Sequence, residues 1–225
     1  MSRSDFLGYI LPGTMAHELK HLVAMGYRIL NGLPWEEAWA EEPSAEVAKE
    51  LAGYGTVYRR IQSRANVALP APQNFRIVHV GYPSDDREMA AMYGFNFLLL
   101  WRIHENYGRE GFWRPWVQSR LTGIANLEAR TGVSFTDLMV DWALTLLFDN
   151  TSFFPEYQYA DLNLRDGTWK RLGYQALTSV SNQSLRSMAF YIGKGTGSDA
   201  TVTLTVDDPS RIRVAVARFP RGLPY

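Results

Sequence analysis

Two histidines stand four positions apart near the start of the chain, in the segment AHELKHLVAMGYRIL at 16–30, and Glu18 directly follows the first of them. Positions i and i+4 of a helix lie on one face, so His17 and His21 can both reach one ion at Zn–N distances of about 2.0–2.1 Å. A zinc ion with three protein ligands keeps one position for water, and a neighbouring carboxylate can accept that water's proton. The spacing therefore predicts metal-assisted hydrolysis, with His17 and His21 as zinc ligands and Glu18 as general base.

The third ligand of such a site has to be histidine, aspartate or glutamate, because the chain contains no cysteine. The segment WAEEPSAEVAKE offers four glutamates, Glu41, Glu42, Glu46 and Glu50. Residue types alone do not decide which of these four glutamates is the third ligand. The two histidines could also form the polar face of an ordinary helix, but this arrangement is rare by chance in a chain with only four histidines, so we favour the metal site.

Helices are expected to position these residues. Thr14 is a candidate N-cap for the helix that carries both histidines, and Asn31-Gly32 is its expected stop signal. Pro34 and Pro43 are expected to open two short helices, or Pro43 to break a single helix that begins at Pro34, since proline is favoured in a first turn. Apolar periodicity and caps predict later helices at 86–107, 110–121, 123–131 and 134–150, the last with a capping box at Ser134 and Asp137.

Strand-like sequence is confined to short stretches. The run NFRIVHV at 74–80 predicts the one strand of the first half. Beyond residue 180, alternating apolar residues predict a small antiparallel β element, in the segments SMAFYIGKG, ATVTLTVD and RIRVAVARFP. We therefore expect a mainly α protein, with a helical catalytic subdomain at 1–180 and a small β-rich C-terminal element at 181–225.

The overall composition excludes several functional classes. Lys plus Arg equals Asp plus Glu at 23 each, so nothing indicates nucleic-acid binding. The apolar run FNFLLLW at 95–101 is closed by Arg102 and is far shorter than the roughly 20 residues of a membrane span. Residues 1–15 contain one arginine and a broken apolar stretch, so we expect no signal peptide in this chain.

The order of several motifs resembles the hyicolysin-type zinc metallopeptidases, over most of the chain. HELKH is followed by the WAEE segment at 39–42, which is similar to the Trp-x-x-Glu ligand segment of that family. An AGYG stretch at 52–55, the Tyr93-Gly94 pair in a long apolar helix, and the segment from Leu121 to Leu144 follow in the same order. The resemblance implies a gluzincin-like helical catalytic subdomain, binding zinc through two histidines and a glutamate.

The resemblance also implies roles for particular residues. Its register selects Glu42 as third ligand, with Glu41 as the alternative, and makes Glu46 the acid that orients the first histidine. Tyr93 matches a tyrosine that stabilises the oxyanion of the tetrahedral intermediate. Pro43 departs from the family pattern, which has glycine there. Because proline disfavours the α conformation of the preceding residue, Glu42 is expected at an N-cap instead of inside a helix.

The activity implied by the resemblance is zinc-dependent endopeptidase action on a protein or peptide substrate, outside the cell or in its envelope. The family carries a sheet-bearing lobe before the zinc helix, whereas sixteen residues precede His17 here, so a fragment is expected. One alternative is a catalytically impaired relative that binds peptides or a partner. Another is a structural surface module, whose functional part is the C-terminal β element and which binds no metal. Residue patterns leave the oligomeric state open.

Overall fold

Helices make up most of the computed structural model, which describes residues 2–55, 60–176, 188–195 and 212–218. The mainly α prediction is therefore confirmed. The α-helices are α1 Arg3–Asp5, α2 Leu11–Leu30, α3 Ala38–Leu51, α4 Arg60–Ala65, α5 Asp86–Asn106, α6 Glu110–Val117, α7 Gly123–Thr131 and α8 Phe135–Phe148. A π-helical turn spans Phe6–Ile10 and a 3₁₀ turn spans Pro72–Asn74.

The helix that carries both histidines begins earlier than its sequence predicts. The Ser2 side chain accepts a hydrogen bond from the Asp5 backbone N–H and caps α1, and helical backbone then continues through the π turn into α2. Thr14 lies inside α2, so its prediction as an N-cap is wrong. The π turn ends two residues before Pro12, which lies in the first turn of α2, where its missing N–H costs little.

The predicted helix starts at Pro34 and Pro43 are also wrong, since residues 33–37 are not helical and the helix does not break at Pro43. Helix α3 runs from Ala38 to Leu51 without interruption and contains Pro43 in its interior. Proline removes the hydrogen bond to the carbonyl four residues earlier, which is that of Trp39. This buried carbonyl accepts instead from Asn96 Nδ2 of α5, at 3.1 Å. A side chain from another helix thus replaces the missing backbone donor, and Glu42 lies within the helix and not at an N-cap.

The predicted strand at 74–80 does not form. Phe75, Ile77 and His79 are buried and alternate with more exposed neighbours, which is the pattern that suggested a strand. This stretch has no strand partner among the described residues, and the carbonyl of Ile77 accepts from Asn96 Nδ2 at 2.8 Å. The alternation of buried and exposed residues therefore arises from an extended segment that packs on the core and is not part of a sheet.

Helix α5 forms the centre of the molecule and is buried continuously from Phe95 to His104. It packs against α3 and α4, and α2 packs against α3. Gly94 permits the contact with α4, because a Cβ there would overlap the backbone of Arg64 and Ala65. The predicted helices after residue 85 are present, and Ser134 caps α8 by accepting from the Asp137 N–H at 3.2 Å.

The C-terminal part differs from the antiparallel prediction wherever it is described. Strands β1 Gln175–Ala176 and β2 Gly193–Lys194 pair in parallel, and residues 212–218 form no strand. The segment ATVTLTVD lies outside the described residues. Within the described ranges, no single helix is long and apolar enough to cross a membrane. Helices α7 and α8 have the required length and apolarity only when they are taken together, and this pair is bent by 79°.

Candidate metal centre

Helices α2 and α3 bring His17, His21 and Glu42 to one point. The Nε2 atoms of the two histidines are 3.1 Å apart, and Glu42 Oε2 lies 3.3 Å from that of His17 and 3.4 Å from that of His21. The histidines share a face of α2 through their i, i+4 spacing. The glutamate comes from the helix packed against that face. This group could hold a metal ion.

The spacing of these three atoms fits a small, four-coordinate ion. Ligand atoms about 2.0–2.1 Å from a tetrahedral centre lie about 3.3–3.4 Å from one another, close to the observed 3.1, 3.3 and 3.4 Å. Octahedral coordination at the same bond length brings neighbouring ligands to about 2.9 Å. The triangle is therefore closer to the tetrahedral geometry, with its fourth position left free of protein ligands among the described residues.

An unsatisfied buried atom supports the fit. Glu42 Oε2 is buried and makes no hydrogen bond to the described residues, although both imidazoles face it. The side chains of His17, His21 and Glu42 are only 12%, 15% and 8% exposed. Burial alone would raise the pKa of Glu42, but its interactions with His17 and His21 outweigh burial and hold the pKa well below its usual range. The carboxylate is thus ionised and aimed at two imidazoles, as a ligand has to be.

The neighbouring carboxylate of Glu41 contacts the opposite edge of the second imidazole. His21 Nδ1 donates to Glu41 Oε1 at 2.9 Å, and this bond, followed by the interaction with Glu42, raises the pKa of His21 to about 9. Because an ionised carboxylate only accepts, the bond keeps the proton on Nδ1, so the proton that a metal ion has to displace from the charged ring is the one on Nε2. Lys20 Nζ binds the other oxygen of Glu41 at 2.6 Å and holds that carboxylate in place.

Glu46 lies beside the first imidazole, one helical turn after Glu42. Its Oε1 is 3.6 Å from His17 Nδ1, within ion-pair range but too long for a hydrogen bond. The same oxygen accepts from Arg64 at 2.6 Å, and Lys49 contacts Oε2 at 3.2 Å. Glu46 therefore links the ligand helices to α4 while facing His17.

Two tyrosines contact the carboxylate of Glu42. Tyr82 donates from its hydroxyl to Oε1 at 2.7 Å, and the hydroxyl of Tyr93 lies near enough to this carboxylate to lower its pKa. The ring of Tyr93 stacks on His17 with centroids 6.1 Å apart, and Arg64 lies 4.3 Å above the same ring. Burial and the proximity of Glu42 raise the pKa of Tyr93, so its proton stays on the hydroxyl. Tyr93 thus reaches the site from α5, two turns after that helix begins.

The remaining candidates occupy different places. Glu18 is exposed on α2, and its side chain leaves the helix about 100° around the axis from that of His17. His79 is buried away from this group, with Nε2 3.0 Å from the carbonyl of Arg76. His104 accepts from the Trp113 indole at 3.1 Å. Both are held by neighbours in the core.

Several functional contacts were missed in the sequence. Tyr82 follows a glycine with φ of +70°, and this turn points the chain back towards α3. The Gly81-Tyr82 pair was the available signal for a turn, but the turn's direction depends on packing. Lys20 is a second such contact: its side chain is only 12% exposed because it pairs with Glu41, which its residue type does not indicate.

Comparisons of the chain with protein-family models, with curated proteins and with solved structures give no match. The geometry of the site and the motifs of the sequence are therefore the basis for assigning a function.

Proposed function

We propose that this chain is a zinc-dependent endopeptidase subdomain, which hydrolyses peptide bonds with a metal-activated water. The observation that carries the proposal is the convergence of His17 Nε2, His21 Nε2 and Glu42 Oε2, in a chain where Glu18 directly follows the first histidine. Three protein ligands with one free position are typical of catalytic zinc sites, whereas structural sites use four. The extracellular or cell-envelope location implied by the family resemblance belongs to the same proposal.

In the proposed reaction, a zinc ion held by His17, His21 and Glu42 would supply Lewis-acid polarisation of the scissile carbonyl and would lower the pKa of water. Glu18 would accept the proton of the attacking water and return it to the leaving amine. Its exposure on α2 leaves the carboxylate accessible to substrate and solvent. Tyr93, whose hydroxyl stays protonated beside Glu42, is a donor available near the developing oxyanion. Glu41 holds the His21 imidazole from its Nδ1 side, and Glu46 faces Nδ1 of His17 at 3.6 Å.

The experiment compares zinc content, by plasma mass spectrometry, with hydrolysis of quenched fluorescent casein. Wild type should hold about one zinc ion per chain, and Glu42→Ala should lose it. Glu18→Gln should keep the zinc but lose at least about 100-fold in turnover, because the general base is gone. Glu156→Gln, at another exposed glutamate, is the matched control and should change neither.

Each outcome separates binding from catalysis. A chain that takes up no zinc from excess metal would refute both parts of the proposal. Zinc binding without casein hydrolysis would refute the peptidase and leave the metal site.

The second candidate is a zinc-stabilised binding module without turnover, and the exposed apolar outer face of α2 favours it. Met15, Leu19, Leu22 and Leu30 are 58–86% exposed on the helix that carries both histidines. A surface of this kind binds partners whether or not a reaction takes place. Full zinc occupancy together with a Glu18→Gln variant equal to wild type in every assay would favour this candidate.

A further inference from the structure

The outer face of α2 is an apolar surface without a partner in the described structure. The face, named here the α2 outer face, consists of Met15, Leu19, Leu22, Val23, Ile29 and Leu30, around Gly26. Their exposed fractions run from 58% for Leu19 and Ile29 to 86% for Leu30. On a helical projection all six lie within about 60° of Gly26, and the metal ligands lie on the opposite side.

Gly26 lies at the centre of the most exposed part of this face. Its neighbours at i±4 are Leu22 and Leu30, and those at i±3 are Val23 and Ile29. No atom lies within 4 Å of the position that a Cβ would occupy at Gly26. Four large side chains thus surround a position without one, so the backbone of another helix can approach closely there.

The area of the α2 outer face is that of an interface. The six side chains leave on the order of 500–700 Å² accessible, whereas the largest apolar patch of a typical monomer is roughly 300–600 Å². A standard interface takes about 800 Å² from each partner. The six side chains therefore supply most of the area that one partner contributes to such an interface.

The charges on α2 decide which partner fits. Helix α2 is described throughout, and Glu18, at the edge of the face, is its exposed charged side chain. Lys20 and Arg28 turn inward, with side chains 12% and 3% exposed. A helix that lies on a membrane presents Lys and Arg beside its apolar face, so a lipid surface is disfavoured. An uncharged face requires an equally uncharged partner surface.

We propose that the α2 outer face is the interface of a homodimer, in which two copies of α2 cross at Gly26 about a two-fold axis. A two-fold axis makes one patch meet itself, so an apolar face is its own complement. The formal net charge of 0 at pH 7 means that the copies do not repel each other. The metal ligands lie on the other side of α2, so zinc binding does not depend on the dimer, whereas Glu18 at the edge of the face borders both the interface and the proposed reaction.

Sedimentation equilibrium on the full chain tests the proposal directly. Wild type should be dimeric at micromolar concentration. Leu30→Glu should weaken the dimer at least about 100-fold, because the two-fold axis buries two carboxylates without partners. Val216→Glu is the matched control, since Val216 is 89% exposed and lies outside the face, and it should leave the dimer intact. Far-ultraviolet circular dichroism checks that the variants fold alike.

Cross-linking tests the position of the axis. The chain has no cysteine, so Gly26→Cys introduces a single thiol per copy. Helix axes 8–10 Å apart bring the two Cα atoms to about 3.5–5.5 Å, which overlaps the range that a disulfide spans. Mild oxidation should convert Gly26→Cys almost completely to a covalent dimer, while Val216→Cys should remain monomeric in denaturing gels.

Three results would overturn the proposal. The first is a wild-type chain that stays monomeric up to about 100 µM, a hundredfold above a micromolar dissociation constant. The second is a dimer that Leu30→Glu does not weaken. The third is a Gly26→Cys variant that cross-links no better than Val216→Cys. A monomer that floats with vesicles of phosphatidylcholine and phosphatidylserine, and loses this binding in Leu30→Glu, would assign the face to a lipid surface instead.

Discussion

At the scale of single residues, the adjacent carboxylates of Glu41 and Glu42 have separate roles at one histidine. Glu42 faces Nε2 of His21 at 3.4 Å, and Glu41 accepts from Nδ1 of the same ring at 2.9 Å. One carboxylate is thus placed to bind a metal ion directly, and the other to orient the ring that binds it. Two consecutive residues of α3 therefore hold one imidazole from both sides.

This division of roles predicts a graded series for zinc affinity. Glu41→Ala should bind zinc about 10–100-fold more weakly than wild type, because the His21 ring loses its orienting acceptor. Glu41→Gln keeps an acceptor oxygen and should lose less. Competition with a chromophoric chelator measures the affinities. The opposite ranking, with zinc kept in Glu42→Ala and lost in Glu41→Ala, would show that Glu41 is the ligand.

At the scale of elements, α3 depends on α5 to contain a proline. Asn96 Nδ2 bonds the Trp39 carbonyl that Pro43 leaves without its backbone donor, and it also bonds the carbonyl of Ile77. Asn96 is 1% exposed, so water does not replace these bonds. One amide thus joins the ligand helix, the extended segment after the 3₁₀ turn and the central helix.

A double-mutant cycle tests this compensation. Asn96→Ala should lower the free energy of unfolding by about 2–4 kcal/mol, because two buried carbonyls lose a donor. Pro43→Ala restores an N–H that can reach the Trp39 carbonyl, so Asn96→Ala should cost about 1 kcal/mol less in that background. Urea unfolding of the four proteins gives the coupling. Additive effects, within about 0.5 kcal/mol, would contradict the proposed replacement.

At the scale of the whole molecule, the candidate metal centre joins α2 to the rest of the core. Helix α2 packs on α3, and α3 packs on α5. Glu46 extends the connection to α4 through its 2.6 Å bond to Arg64. Because the three proposed ligands come from two helices, a bound ion would stabilise only the folded arrangement.

Metal removal should therefore destabilise the protein. We expect chelation to lower the unfolding temperature and zinc to restore it, with a gain of about 2.7 kcal/mol when free zinc is 100 times the dissociation constant. Differential scanning calorimetry follows the change. His21→Ala should not respond to zinc, and magnesium should not replace zinc, because it prefers oxygen ligands. Equal unfolding temperatures with and without chelator would argue against an ion at this position.

The sequence by itself determined the features that depend on local backbone geometry. The i, i+4 spacing of His17 and His21 places both rings on one face of any helix that contains them. The cap at Ser134 and the apolar periodicity after residue 85 likewise sufficed for the later helices. These patterns involve neighbours within one or two turns, so they are independent of the rest of the fold.

Only the tertiary structure decided which residues complete the site. Four glutamates were compatible with the sequence, and the rotation of α3 against α2 aims Glu42 at Nε2 and Glu41 at Nδ1. The helix passes through Pro43 because Asn96, 57 residues from Trp39 in the chain, supplies the missing donor. Tyr82 reaches Glu42 through a turn whose direction depends on packing. Contacts between distant segments arise from how helices pack, and local residue patterns carry no information about that arrangement.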